Sequence, residues 1–362
     1  VTDKLSILIA HAAREAREGM ARAFAAADDM RVVGASSTCA QALELLSRKR
    51  VDMVLLDVEL SDALETLDEI LRRNAESEPE QDETGVVLIA SKEQRYAERV
   101  ILGLEAGAFD FVRPPIGAQT SVAEDVVPVL MRQLLVKVRH FASKRIFSNF
   151  SSSLRPQTTP RPEQARPQLA TSKIKAVLIG VSTGGPKVLA ALLPELVKAV
   201  RLPIFVAQHM PPVFTASLAA SLDGRCGRPV VEAGDNELVE ERVYIAPGGK
   251  HLQLQRGLDR SVRLLVTDAP PDEGCRPSVN LLFESAAKIY GAELAALVLT
   301  GMGQDGTRGV RELKKAGAWV VAQDKESSVV WGMPGAAVSS GCVDRILRPD
   351  EMAEFLASIA QG

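Results

Sequence analysis

Residues 176–197 read AVLIGVSTGGPKVLAALLPELV. The opening AVLIGV is a short apolar run with no polar alternation, the pattern of a strand buried on both faces. GVSTGGP then interrupts it. Its glycines permit a sharp strand-to-helix turn, and Pro186 suits the first helical position, where a missing amide costs nothing. Strand, turn and helix in this order form the repeating unit of a parallel α/β sheet.

The same pattern recurs outward from that stretch. PIFVAQH (203–209), ALVLTG (296–301) and AWVVAQ (318–323) read as further buried strands followed by loops and helices. Between them, residues 242–270 (RVYIAPGGKHLQLQRGLDRSVRLLVTDAP) read as strands joined by Gly-containing turns, an antiparallel ribbon beside the parallel sheet. Towards the N-terminus, SILIA (6–10), RVVGAS (31–36), DMVLLDV (52–58), GVVLIAS (85–91) and a weaker AFDFV (108–112) alternate with amphipathic stretches. Five strands alternating with helices imply a second parallel sheet. Residues 121–147 predict a long helix, with Pro128 near its first turn. Residues 148–172 (SNFSSSLRPQTTPRPEQARPQLATS) hold too few core formers to offset the entropy of ordering, so they read as a linker. The expectation is therefore two doubly wound α/β domains, 1–147 and 173–362, joined by 148–172.

Bulk properties narrow the class without naming it. The chain has 362 residues, 46% apolar and 25% charged, with formal net charge -3. That charge gives no global case for nucleic acid or an anionic membrane as partner. No run approaches the roughly 18–20 apolar residues of a membrane span, and the first residues lack a signal-peptide core, so a cytoplasmic location is expected. Cys39, Cys226, Cys275 and Cys342 lie far apart without metal spacing and read as isolated reduced thiols.

Open parallel sheets bind ligands beyond the carboxyl ends of their strands. Three motifs fall there: Ser182 in GVSTGGP, His209 in QHMPP and Asp305 in GMGQDG. A serine hydroxyl is a poor nucleophile alone; a neutral imidazole can take its proton, and a carboxylate can fix the tautomer. Each residue also has a plainer reading. Ser182 suits a helix cap or a phosphate loop, His209 a packed histidine, Asp305 a turn. Against a nucleotide loop stands the absence of a GxxxxGK[ST] lysine and of a full GxGxxG. The chain order Ser, His, Asp differs from that of α/β-hydrolases, so the G-x-S-x-G match does not imply that fold. His251 reads as structural or exposed, and His140 with Lys137, Arg139 and Lys144 as a solvated helix face. Asp268 and Asp272 lie in a Pro-rich loop bordering the expected groove.

GVSTGGP, QHMPPVFTASLAASL (208–222), APGGKHL (246–252), PSVNLLFESAA (277–287), LTGMGQDGTRGVRELKKAGA (299–318) and WGMPGAAV (331–338) resemble, in order, the blocks of the chemotaxis protein-glutamate methylesterase family. The resemblance covers nearly the whole chain. It implies an N-terminal, flavodoxin-like response-regulator receiver and a C-terminal esterase in which Ser182 attacks, His209 is the base and Asp305 orients it. It further implies glutamine deamidation by the same attack and backbone amides of Thr183 and Met302 at the oxyanion. Methyl-accepting chemoreceptors are the implied substrates, with a chemosensory histidine kinase or other signalling protein as partner of the receiver. No metal or organic cofactor is expected.

The receiver half departs from the family pattern. Asp57 stands at the phosphoryl-acceptor position and Ser91 at the hydroxyl position. Where the family has an acidic pair to hold Mg²⁺, this chain has His11-Ala12, and Arg113-Pro114-Pro115 replaces the lysine before proline. Mg²⁺ needs hard oxygen ligands. The expectation is a degenerate receiver in which Asp57 is not ordinarily phosphorylated. An adaptor without catalysis and a phosphate-binding regulatory module are the rival readings; an adaptor has no need of all three triad residues.

Overall fold

The computed structural model describes residues 4–76, 83–90, 96–113, 131–142 and 173–361. The chain divides into two compact units, Val1–Thr159 and Pro160–Gly362. The stretch 148–172 and residues Ser91, Pro114, Pro115, Pro128 and Lys144 fall outside the described residues.

In the N-terminal unit, strands β1 (Leu5–Ala10), β2 (Met30–Ser36), β3 (Met53–Asp57), β4 (Gly85–Ile89) and β5 (Asp110–Val112) alternate with helices. The helices are α1 (Arg14–Ala25), α2 (Cys39–Arg48), α3 (Ala63–Glu76) and α4 (Ala97–Ala106). The strands pair in parallel in the order 2-1-3-4-5, the flavodoxin-like arrangement. β3, β4 and β5 are buried throughout; the apolar runs of β3 and β4 predict this, while the weaker β5 buries Asp110 with Phe111 and Val112. Residues 131–142 form α5, which buries Met131, Leu134, Val138 and Phe141 at intervals of three and four. Phe141 meets Phe109 edge-on at 5.3 Å. Lys137 corrects the reading of a wholly solvated face: it ion-pairs with the buried Asp110, while His140 is exposed.

The C-terminal unit is built on a seven-stranded sheet. Its strands are β6 (Ala176–Val181), β7 (Ile204–Gln208), β8 (Val230–Glu232), β9 (Val243–Ile245), β12 (Leu294–Val298), β13 (Trp319–Gln323) and β14 (Arg345–Leu347). They run in parallel in the order 14-13-12-6-7-9-8. β10 (His251–Arg256) and β11 (Val262–Thr267) form the separate antiparallel ribbon. The sequence reading put all of 242–270 in that ribbon. In the structure Val243–Ile245 joins the main sheet between β7 and β8, because three buried apolar residues fit a central parallel position as well as a hairpin.

Helices α6 (Gly185–Ala199), α7 (Phe214–Asp223), α8 (Val279–Tyr290), α9 (Thr307–Lys315), α10 (Met333–Ser339) and α11 (Pro349–Gln361) complete the unit. Val279 and Phe283 of α8 crowd Gly180 on one face of the sheet, while α6 begins against Val181 on the other. Ala176 and Leu178 of β6, Phe205 and Ala207 of β7, and Ala296 and Val298 of β12 pack with Leu282 and Phe283 in one core. Phe205 stacks on Tyr244 at 5.5 Å, an offset contact of about 0.5–1.5 kcal/mol beyond the buried area. The sheet order reverses direction at β6: the chain adds β7, β9 and β8 on one side, then returns to build β12, β13 and β14 on the other. The loops leaving β6, β7 and β12 therefore open onto one crevice.

Candidate active site

Ser182 is half-buried at the end of β6, where the chain must turn into α6 at once. Gly184 makes that turn at φ 80°, a left-handed conformation that a side chain would strain, and Pro186 stands in the first turn of the helix. The Ser182 amide donates to Thr300 O at 3.0 Å, and its carbonyl accepts from Gly185 N at 2.8 Å. A second carbonyl bond comes from Gln208 Nε2 at 3.0 Å. The backbone of Ser182 is thus tied to three elements. Gly301 is packed so closely that a Cβ there would fall 2.8 Å from Ser182 Cβ.

Val181 and Gln208 are register partners, so Ser182 and His209 leave adjacent parallel strands side by side. His209 N donates to Val181 O at 3.0 Å. Its ring Nε2 donates to Asp305 Oδ2 at 2.8 Å, which leaves Nδ1 as the second ring nitrogen. Asp305 is 3% exposed and sits at the N-terminus of α8. Oδ2 also accepts from Val279 N at 2.8 Å, and Oδ1 from Asn280 N at 3.0 Å and Gly306 N at 2.8 Å. Burial alone raises this carboxyl. His209 and the two α8 amides outweigh burial and hold it below the ordinary aspartate value. Burial likewise lowers the His209 imidazole, but the bond to Asp305 and the nearby Cys275 thiol prevail and push it up to about 9. The pair therefore favours imidazolium beside carboxylate.

Around this pair lie residues to which sequence reasoning gave no role in holding it. Ser278 caps α8, accepting from Leu281 N at 3.4 Å. Its hydroxyl stands 2.9 Å from Asp272 Oδ2 and 3.2 Å from Asp305 Oδ1 and donates to one of them. His251 is fully buried: Nε2 donates to Pro270 O at 3.1 Å and Nδ1 accepts from Ser278 N at 3.2 Å, bracing the start of α8. Asn280 Oδ1 accepts from Gly306 N and Gly309 N, fixing the Asp305 loop. A serine before an apolar run is a legible cap signal; the rest of this bracing has none. Cys275, read as an isolated thiol, is half-buried here. A ring nitrogen of His209, its Sγ and a carboxylate oxygen of Asp305 all lie within 4.8 Å of one another. Thr183 follows Ser182 and is 7% exposed, its carbonyl accepting from Thr300 Oγ1 at 2.9 Å. Met302 follows Gly301 and is half-buried. Asp268 is exposed on the neighbouring loop.

Comparison with known proteins supplies the family. The CheB methylesterase profile matches residues 177–356, and the response regulator receiver domain profile matches 7–124. A protein-glutamate methylesterase/protein-glutamine glutaminase of Trichodesmium erythraeum is 37% identical over 330 residues, covering 90% of this chain and 91% of its own length. The chain belongs to the CheB methylesterase family. A Nitrobacter hamburgensis relative with the same name is 35% identical, over 95% of this chain and 91% of its own. The crystal structure of the Thermotoga maritima CheB methylesterase catalytic domain is 42% identical, with TM-score 0.50 over 51% of this chain and 98% of that one.

The receiver unit carries its own cluster of polar groups. Asp57 ends β3, 3% exposed, and accepts from Ala12 N at 3.2 Å and Glu59 N at 2.9 Å. His11 Nδ1 lies 3.4 Å from Asp57 Oδ2. Nδ1 accepts from Ala13 N at 3.0 Å, so it carries no proton to share with the carboxylate. Burial keeps the His11 imidazole below its ordinary value despite the opposing pull of Asp57. A neutral ring thus occupies the place of the expected acidic pair. Arg113 follows β5, half-buried. Among the described residues no helix is long and apolar enough to cross a membrane.

Proposed function

We propose that this chain hydrolyses γ-methyl esters of glutamate side chains on the cytoplasmic helices of chemoreceptors, with Ser182 as nucleophile, His209 as base and Asp305 as its orienting acid. The observation that carries the reading is the 2.8 Å bond from His209 Nε2 to Asp305, made at the strand end next to Ser182. With Nε2–H committed to the carboxylate, Nδ1 is the nitrogen able to take the serine proton. Attack on the ester carbonyl forms a tetrahedral oxyanion near the start of α6, where the amides of Thr183 and Met302 and the helix dipole favour negative charge. The imidazolium protonates the departing methoxide, methanol leaves, and water then releases glutamate and regenerates Ser182. A glutamine amide follows the same course with ammonia as leaving group, in line with the double name of the relatives.

The receiver unit is the surface for a signalling partner such as a histidine kinase, and it acts without ordinary phosphorylation of Asp57. The neutral His11 beside that carboxylate supports this, since it supplies neither a hard oxygen ligand nor a positive charge. The deciding experiment measures methanol release from methylated receptor membranes by the full chain. Activity is expected in the native chain, and Ser182→Ala should retain only the residue that binding and oxyanion contacts supply, roughly 10³-fold or more below it. Native and Ser182→Ala proteins of equal activity would remove Ser182 from the reaction.

A further inference from the structure

The expected reaction uses two of the three ligand groups that meet beside Ser182. The third, Cys275, has no part in it. Its position is nevertheless built. Asp272 and Cys275 close a tight turn with bonds in both directions, 3.1 and 2.9 Å, and Glu273 and Gly274 between them take φ 48° and 82°. Arg308 clamps that turn through Asp272 at 3.0 Å and Glu273 at 3.2 Å. The Ser278 hydroxyl lies 2.9 Å from Asp272 Oδ2. The thiol is therefore fixed against the His209–Asp305 pair and is not a wandering surface group.

We propose that His209, Cys275 and Asp305 form a zinc-capture site whose occupation switches the enzyme off. Imidazole nitrogen, thiolate sulfur and carboxylate oxygen are the donors zinc takes, and an open fourth position is left for water. Tetrahedral zinc holds such donors about 3.3–3.7 Å apart. The three groups lie within 4.8 Å of one another, with Nε2 and Oδ2 at 2.8 Å, so a small opening of the pair and a small inward turn of the thiol suffice. The thiolate and carboxylate charges together match the dication. Starting from the imidazolium, capture releases two protons to solvent, one from the thiol and one from Nε2. The ring then keeps its remaining proton on Nδ1, the nitrogen that must accept from Ser182. Zinc thus selects the tautomer that cannot act as base. The inhibitory consequence rests on the esterase reading above; the binding itself does not.

The test uses the full chain, freed of metal and reduced. Cobalt(II) is added as an optical probe, and zinc affinity is measured by competition with a chromophoric chelator. The native protein should show the near-ultraviolet thiolate-to-cobalt band, and so should Ser182→Ala. Cys275→Ser should lose the band and bind zinc at least about tenfold more weakly, while Cys226→Ser should match the native protein. Zinc should suppress methanol release reversibly by EDTA, with Cys275→Ser needing a correspondingly higher concentration relative to its own metal-free rate. The site is overturned if the native protein gives no thiolate band, or if Cys275→Ser and Cys275→Ala bind and respond to zinc as the native protein does. A native protein that binds zinc through Cys275 yet releases no methanol when metal-free would leave the site standing and sink the esterase reading instead.

Discussion

At the scale of single residues, the proposed base His209, bonded to Asp305, would set the pH response. A base must be neutral to accept a proton, and here the imidazole is held at about 9. Deprotonation, and with it the active form, therefore grows as pH rises. With a chelator present, kcat/KM should climb about tenfold per pH unit from pH 7 and level near 9. A plateau already reached at pH 7 would show that the proton is not retained in the free enzyme. Asp305→Asn keeps the shape but allows the ring to take the wrong tautomer; kcat should fall by about 10³–10⁴. A loss of less than tenfold would mean that Asp305 serves α8 alone. The strand ends that carry Ser182 and His209 were legible because each follows an unbroken apolar run, whereas Asp305 lies several residues beyond the end of β12. The cradle of Asp305 was not legible, since the amides of Val279, Asn280 and Gly306 carry no sequence signature. Nor was Cys275, which reaches the pair by a turn whose path no local pattern announces.

At the scale of elements, the turn from β6 to α6 carries the most consequence for its length. Gly184 lies at φ 80°, and a Cβ there would come 2.6 Å from Val329 Cβ. Gly184→Ala should cost about 1–3 kcal/mol of stability and displace the adjacent Ser182. Denaturant unfolding checks the first effect and the methanol assay the second; an alanine variant as stable and active as the native chain would show that the turn can relax. The long parallel strands were readable from composition. The three-residue strands were harder: Val243–Ile245 is buried and apolar, which suits a hairpin and a parallel sheet equally, and only its neighbours β7 and β8 decide between them.

At the scale of the whole molecule, two sheets with separate strand orders belong to two units, each with its own parallel core. The receiver unit has the flavodoxin-like strand order and the Asp57 carboxylate, with the neutral His11 ring 3.4 Å from it. Acetyl phosphate with Mg²⁺ should therefore leave Asp57 essentially unlabelled, as intact-mass measurement would reveal; stoichiometric labelling lost in Asp57→Asn would restore ordinary phosphoryl control. The fold here was legible from alternating apolar runs, while the expectation of altered chemistry rests only on a resemblance to a family pattern. One feature of the esterase unit also bears on how such a chain can change over generations. On the proposed mechanism the Asp305 carboxylate is at once the partner of the base His209 and the anchor of the first turn of α8, so selection for a folded protein and selection for an active one act on the same side chain. A lineage drifting from enzyme to mere scaffold can shed Ser182 freely, but it has reason to keep Asp305 long after the chemistry is gone.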